Sequence, residues 1–127
     1  MRTSLVAVLA AALLLALLPA GAPADPAPQA VAAKKCSLTA KQQRRLGTTY
    51  VLTLRVSGTS CRSGRTVVKA YHRCRHDNGG RDGKCGRRIY GYKCEERRYN
   101  KIASQYDANA RCKKAGREIY HKYTQNT

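Results

Sequence analysis

Residues 60–74, SCRSGRTVVKAYHRC, decide the fold that the sequence predicts. Apolar residues recur here at intervals of three and four, the spacing of one face of an α-helix. Ser60 is a favourable N-cap because its hydroxyl can accept a hydrogen bond from a free N–H of the first turn. The inward stripe comprises Cys61, Gly64, Val67, Val68, Tyr71 and Cys74, and the charged Arg75 falls at the same spacing without belonging to the apolar stripe. The pattern predicts a central helix with a cysteine near each end.

The opposite face of this helix is the candidate binding site for anionic partners. It consists of Arg62, Arg65, Lys69, His72 and His76. Tyrosines also alternate with basic residues over residues 88–93, and basic grooves with aromatic platforms suit single-stranded nucleic acid. Charge by itself gives affinity without sequence preference. The alternative is that the basic face only keeps a small protein soluble.

The N-terminus has the pattern of a secretory signal peptide. Arg2 precedes an apolar run over residues 5–18, and small residues follow it up to Ala24. Fourteen apolar residues are fewer than the roughly 20 that span a bilayer. We therefore predict a signal peptide at 1–24, a flexible leader at 25–35 and a single domain at 36–127. The mature chain is expected to be secreted, monomeric and without a transmembrane segment.

The mature chain is poor in large apolar side chains and rich in positive charge. It has four Leu, five Val, three Ile and neither Phe nor Trp, and the whole chain has a formal net charge of +18. Such a composition would normally indicate disorder. Eight tyrosines and six cysteines argue against disorder, because tyrosine rings fill a core and exported cysteines form disulfides. Three disulfides contribute about 2–4 kcal/mol each.

The rest of the chain predicts one short helix and four strands. Thr39 and Gln42 form a capping box for a helix over residues 40–46, which Gly47 closes. Alternating residues predict strands at 48–56, 87–94, 106–112 and 118–124, with residues 95–104 as a polar connector. The inward residues predicted for these strands are Tyr50, Leu52, Leu54, Val56, Tyr90, Tyr92, Cys94, Tyr106, Ala108, Ala110 and Cys112.

These elements predict an α+β fold. One central helix packs on a small, mostly antiparallel sheet of about four strands, stabilised by disulfides and preceded by a short N-terminal helix. If the first two strands are parallel neighbours, the helix between them makes a right-handed crossover.

Six cysteines allow fifteen pairings, and the sequence does not choose among them. The favoured set pairs Cys61–Cys94, Cys74–Cys85 and Cys36–Cys112, on the assumption that two parallel strands bring Cys61 and Cys94 to one rim. A rival set keeps the first pair and forms Cys36–Cys85 and Cys74–Cys112. A zinc site from His72, Cys74, His76 and Cys85 is a weaker alternative, because the spacing matches no standard motif. No metal or cofactor is predicted.

The cysteine framework resembles that of small, uncharacterised secreted proteins of actinobacterial type. The resemblance spans residues 50–123 and lies in a strand leading into Thr59-Ser60-Cys61, then Gly91-Tyr92-Lys93-Cys94, then a strand ending Ala110-Arg111-Cys112 with its hairpin. Three cysteines look like additions to the pattern: Cys36, Cys74 and Cys85. The resemblance implies a fold and no activity.

The function that the sequence favours is non-catalytic binding of anionic partners, such as a wall polymer, a nucleic acid or an acidic protein. A secreted hydrolase such as a ribonuclease is the alternative, with His72 and His121 as acid–base groups. An inhibitor of an extracellular enzyme is a further one. Known hydrolase and phosphate-binding motifs are missing from the sequence, so no catalytic residue is assigned.

Overall fold

A five-stranded antiparallel sheet and one long helix form the two layers of the computed structural model, which describes residues 31–127. The strands are β1 (Lys34–Cys36), β2 (Tyr50–Ser57), β3 (Lys93–Ile102), β4 (Gln105–Lys114) and β5 (Arg117–Asn126). The helices are α1 (Ala40–Arg44) and α2 (Cys61–Asp77), followed by a 3₁₀ turn at Gly80–Asp82. The strand order is β1-β2-β5-β4-β3.

The predicted α+β class is confirmed, with five strands instead of four. The additional strand is β1, whose residues Lys34 and Lys35 belong to the predicted leader and pair with β2. The predicted signal peptide and residues 25–30 of the leader lie outside the described residues. Within residues 31–127, no helix combines the length and the apolar character needed to cross a membrane.

Helix α2 has the predicted start and the predicted inward stripe. The Ser60 hydroxyl accepts a hydrogen bond from the Ser63 N–H at 3.1 Å. Val67, Val68 and Tyr71 are at most 3% exposed. Gly64 faces β2 so closely that a Cβ in its place would lie 2.7 Å from Val56 Cγ1. A side chain at this position would therefore push the helix away from the sheet.

The predicted inward face of β2 is correct in one half only. The register with β5 shifts between Val51 and Thr53, so Leu52 is the extra residue of a β-bulge. The bulge turns Leu52 outward, where it is 46% exposed, and buries Val51 in its place. Beyond the bulge, Leu54 and Val56 face the core as predicted.

The second predicted strand, at residues 87–94, is displaced along the chain. Residues Tyr90 and Gly91 both have positive φ and form the turn of a small hairpin in which Ile89 and Tyr92 exchange two backbone hydrogen bonds. Tyr90 is therefore exposed, whereas Tyr92 is buried. Residues 95–104, predicted as a polar connector, form most of β3. A strand is possible here because the charged side chains alternate between solvent and a buried polar cluster. Strand β4 has the predicted inward face throughout.

Three disulfides join β1 to α2, α2 to the loop after it, and β3 to β4, and they correct two of the favoured pairs. The structure joins Cys36–Cys61, Cys74–Cys85 and Cys94–Cys112. The pairs Cys61–Cys94 and Cys36–Cys112 were wrong, since they assumed that the strands before and after α2 are parallel neighbours. In the structure β5 and β4 separate β2 from β3, so α2 does not connect adjacent strands. Cys94 instead lies directly opposite Cys112.

The disulfides also exclude the rival pairing and the zinc site. The rival pairs Cys36–Cys85 and Cys74–Cys112 are excluded. The zinc alternative is excluded as well, since Cys74 and Cys85 are bonded to each other and cannot act as thiolate ligands. Three disulfides indicate an oxidising compartment.

Tryptic digestion without reductant tests the disulfide pairing. Lys or Arg residues separate all six cysteines, so each bridge should yield one pair of linked peptides. We expect peptide 36–41 linked to 56–62, 74–75 linked to 85–87, and 94–97 linked to 112–113. Mass spectrometry would contradict the structure if peptide 56–62 were linked to 94–97.

Substitution Gly64→Ala tests the close approach of α2 to β2. We expect it to lower the free energy of unfolding by about 1–3 kcal/mol, because overpacking outweighs the gain in helix propensity. Gly86→Ala is the matched control, since a Cβ there meets no atom within 4 Å. It should change stability by less than about 0.5 kcal/mol in urea denaturation. Equal effects of the two substitutions would show that α2 and β2 are less tightly packed.

Candidate anion-binding groove

An open groove of about 570 Å³ lies between α2 and the hairpin turn at Tyr90. We call it the basic groove. Its lining residues are Thr66, Lys69, Ala70, Arg73, Arg87, Arg88, Ile89 and Tyr90. Four of these eight residues are cationic, and none carries a carboxylate. The groove is therefore a concave site of one charge sign.

The helical wall of the groove follows from the apolar stripe of α2. Burial of Tyr71 and its neighbours against the sheet turns the opposite side of the helix to solvent. Lys69 and Arg73 are four residues apart on that side, so their side chains lie one above the other. Both residues are exposed.

The second wall is held in place by a bridge, by packing and by hydrogen bonds. The Cys74–Cys85 disulfide ties the segment before Arg87 to α2, and Ile89 is buried in the core. The Lys114 ammonium group donates a hydrogen bond to the Tyr90 carbonyl at 2.9 Å, and Arg88 donates to the Gly91 carbonyl at 3.2 Å. The wall is thus preformed, which lowers the ordering cost of binding.

The cations of the basic groove are available to a ligand. Lys69, Arg73, Arg87 and Arg88 form no ion pair with any of residues 31–127. The ring of Tyr90 is 63% exposed beside them. This combination offers charge neutralisation for phosphate or sulfate groups and one flat surface for stacking.

The five residues predicted as a basic face are only partly together. Lys69 lines the groove, and Arg62 lies exposed two turns earlier on the same side of α2. Arg65 is half-buried on the flank of the helix. His76 is half-buried too, and its Nε2 lies 2.9 Å from the Gly47 carbonyl oxygen. The structure thus places two of the five on the side of the helix that faces the groove.

The assignment of His72 to the exposed face was wrong, because its side chain is fully buried. At about 100° per residue, His72 lies only about 20° around the helix from Cys61, at the edge of the inward stripe. The segment after α1 covers this edge, so that a Cβ at Gly47 would lie 2.9 Å from the His72 Cβ.

Sequence reasoning missed Arg73 as a member of the site. It identified the basic and aromatic segment that contains Arg88 and Tyr90, but it did not predict that this segment lies beside Lys69. Arg73 lies opposite the centre of the apolar stripe, and a helical projection centred on Tyr71 would have found it. Arg87 and Arg88 approach α2 only because the Cys74–Cys85 bridge and the hairpin turn return the chain to the helix.

A second group of charged side chains lies buried between α2 and the sheet. The Glu96 carboxylate accepts hydrogen bonds from the hydroxyl groups of Tyr71 and Tyr123, each at 2.6 Å, and from Arg98. Arg75, fully buried, approaches the same carboxylate at 3.2 Å. Burial raises the pKa of Glu96, but these hydrogen bonds outweigh it, so the net effect is a lowered pKa and a charged carboxylate.

Two histidines continue this buried cluster. Arg75 donates to His72 Nδ1 at 2.7 Å, so the proton of a neutral His72 is on Nε2 and points to His121 Nε2 at 3.1 Å. His121 Nδ1 then carries a proton and has no hydrogen-bond partner among residues 31–127. Burial lowers the pKa of both imidazoles, that of His121 to about 3.

Because both side chains are fully buried, neither contacts a ligand from solvent, which removes the geometric basis for the ribonuclease alternative.

Comparison of the chain with protein-family models, with curated proteins and with solved structures gives no match in any of the three. The resemblance to small secreted actinobacterial proteins therefore stays a hypothesis.

The buried histidines predict a loss of stability in acid. Below pH 6.5 the unfolded chain binds protons that the folded protein excludes, so the stability present above pH 6.5 is lost as the pH falls. His121→Gln should reduce the slope of unfolding free energy against pH by about 1.4 kcal/mol per pH unit between pH 6 and 4. Urea denaturation with intact disulfides measures this slope.

The same substitution at the partly exposed His76 is the control for removal of an imidazole. It should retain most of the acid slope of the wild type. If His121→Gln also kept the full slope, His121 would be protonated in the folded protein and the direction assigned to its pKa would be wrong.

Proposed function

We propose that this protein is exported and binds flexible anionic polymers without catalysis, with the basic groove as the binding site. The observation that carries this proposal is the group of four cations around one concave surface, none of them paired with a carboxylate of residues 31–127. Unpaired cations at a preformed site attract phosphate or sulfate groups and release counterions from them.

The net charge supports the same function but does not locate it. A chain with a formal net charge of +18 attracts polyanions over its whole surface. At 0.1 M salt, however, the Debye length is about 10 Å, so contacts within a site dominate the affinity. Four phosphate contacts on a single strand give a slope of about −2.8 in a plot of log affinity against log salt concentration.

Export is proposed on two grounds. Residues 1–24 have the composition of a signal peptide, and the three disulfides require an oxidising compartment. Outside the cell the groove would meet wall polymers, extracellular nucleic acid and acidic proteins. Among these, the exposed ring of Tyr90 favours a nucleic acid, because unpaired bases stack on aromatic side chains.

The double substitution Arg87→Gln/Arg88→Gln tests the groove. With a fluorescent single-stranded oligonucleotide at 0.1 M salt, we expect about 25-fold weaker binding and a salt slope smaller by about 1.4, because two phosphate contacts are lost. Fluorescence anisotropy over a salt series measures both quantities. Wild-type binding that ignored salt would rule out polyanion binding.

A matched control removes two positive charges elsewhere. Lys41→Gln/Arg44→Gln changes two exposed residues of α1 that do not line the groove. It should leave the salt slope unchanged. Equal losses in the two double variants would show diffuse attraction and no groove site.

Tyr90→Leu should weaken binding of the oligonucleotide and leave binding of polyphosphate unchanged if bases stack on the ring.

A further inference from the structure

The side of the sheet that faces away from α2 presents a second basic surface. The side chains of β2, β5, β4 and β3 alternate between the two sides of the sheet. We call the residues that point away from α2, together with Lys35 of β1, the outer sheet face. One row across the strands is Lys35, Arg55, Tyr120, Arg111 and Glu95, and the next is Thr53, Lys122, Asn109 and Arg97. A shallow depression of about 680 Å³ lies over the middle of these rows.

Several cations of the outer sheet face have no acidic partner. The three carboxylates of this face are engaged. Glu118 pairs with Arg111 at 3.4 Å and Glu95 with Lys93 at 3.5 Å, while Asp107 accepts hydrogen bonds from Thr124 at 2.6 Å and Asn100 at 3.1 Å. Lys35, Arg55 and Arg97 form no ion pair with any of residues 31–127. Three strand spacings of about 4.8 Å separate Arg55 on β2 from Arg97 on β3, which is about 14 Å across the sheet. Lys122 on β5 lies between them. The face therefore has a positive path across the sheet.

Two tyrosines accompany these cations. The Arg111 guanidinium lies 5.9 Å from the centre of the Tyr120 ring, and the Lys122 ammonium lies 5.6 Å from that of Tyr99. Both rings are partly exposed. Rings that stand on a sheet among cations give bases a surface for stacking while phosphates contact the charges.

The outer sheet face and the basic groove are separate surfaces. No residue lines both depressions. The groove lies on the side of the sheet that carries α2, and the sheet with the buried core stands between the two. One anionic strand on each side would therefore leave the other surface free.

We propose that the outer sheet face is a second binding site for single-stranded nucleic acid, so that one protein molecule bridges two strands. The proposal rests on the groove function proposed above, and it adds cross-linking of strands to simple binding. Charge complementarity and the two tyrosines select this occupant over an acidic protein, whose carboxylates need no aromatic platform.

Bridging is measured with two short oligonucleotides of eight nucleotides, one labelled with a donor dye and one with an acceptor dye. Wild-type protein should give energy transfer between the dyes, and native mass spectrometry should show one protein with two strands. Arg55→Gln/Arg97→Gln should abolish the transfer and reduce the stoichiometry to one strand. The groove of this variant should keep its affinity within about twofold, since both changed residues are exposed and neither lines the groove.

The groove variant Arg87→Gln/Arg88→Gln is the reciprocal control. It should also lose energy transfer, and its remaining weak binding should then depend on Arg55 and Arg97. Wild-type binding of one strand only, without transfer, would overturn the bridging proposal and leave the groove function intact. No binding at all would overturn the groove function itself.

Two further outcomes would also contradict the proposal. Energy transfer from a complex of two proteins and two strands would mean that a dimer, not a second site, joins the strands. Polyphosphate that bound the outer sheet face as tightly as the oligonucleotide would overturn the assignment to nucleic acid. Tyr120→Leu distinguishes the two ligands, since it should weaken binding of the oligonucleotide and leave binding of polyphosphate unchanged.

Discussion

The Glu96 carboxylate is the contact on which the two layers of this protein depend. It accepts hydrogen bonds from Tyr71 on α2 and Tyr123 on β5, and it balances the fully buried charge of Arg75. Removing one partner of a buried ion pair costs about 3–5 kcal/mol, because the other charge is left uncompensated. Glu96 therefore specifies where α2 lies on the sheet and in which orientation.

This polar centre adds to a small aliphatic core. Tyr71, Tyr106 and Tyr123 supply the large buried rings, and their hydroxyl groups find partners within the cluster. The cost of desolvating charges is offset only if nearly every lone pair and proton is paired. Disulfides at the margins of the cluster add stability that so few aliphatic side chains cannot provide.

The division between paired and unpaired cations follows from the same arrangement. Arg75 and Arg98 contact Glu96 and stabilise the fold, whereas Arg73 lies on the opposite side of α2 from the buried stripe and faces solvent. A disulfide and a sheet hold the surface cations on rigid elements, so binding of a polyanion needs little reordering of the backbone. Both proposed sites thus depend on a scaffold whose own charges are already balanced.

Features that depend only on neighbours along the chain could be predicted from the amino-acid sequence. The Ser60 and Thr39 caps, the inward stripe of α2 and the inward face of β4 were all correct, because helical and strand periodicity is set locally. Tertiary structure decided the rest. Strand β3 resembled a surface connector because the partners of its buried charges are distant in sequence. Those of Glu96 come from α2 and β5, and Arg98 donates to carbonyl groups of the 3₁₀ turn and of the residue that follows it. The partners of Cys36 and Cys94, the burial of His72 and the position of Arg87 in the groove depend on strand order and chain return, which local periodicity does not encode.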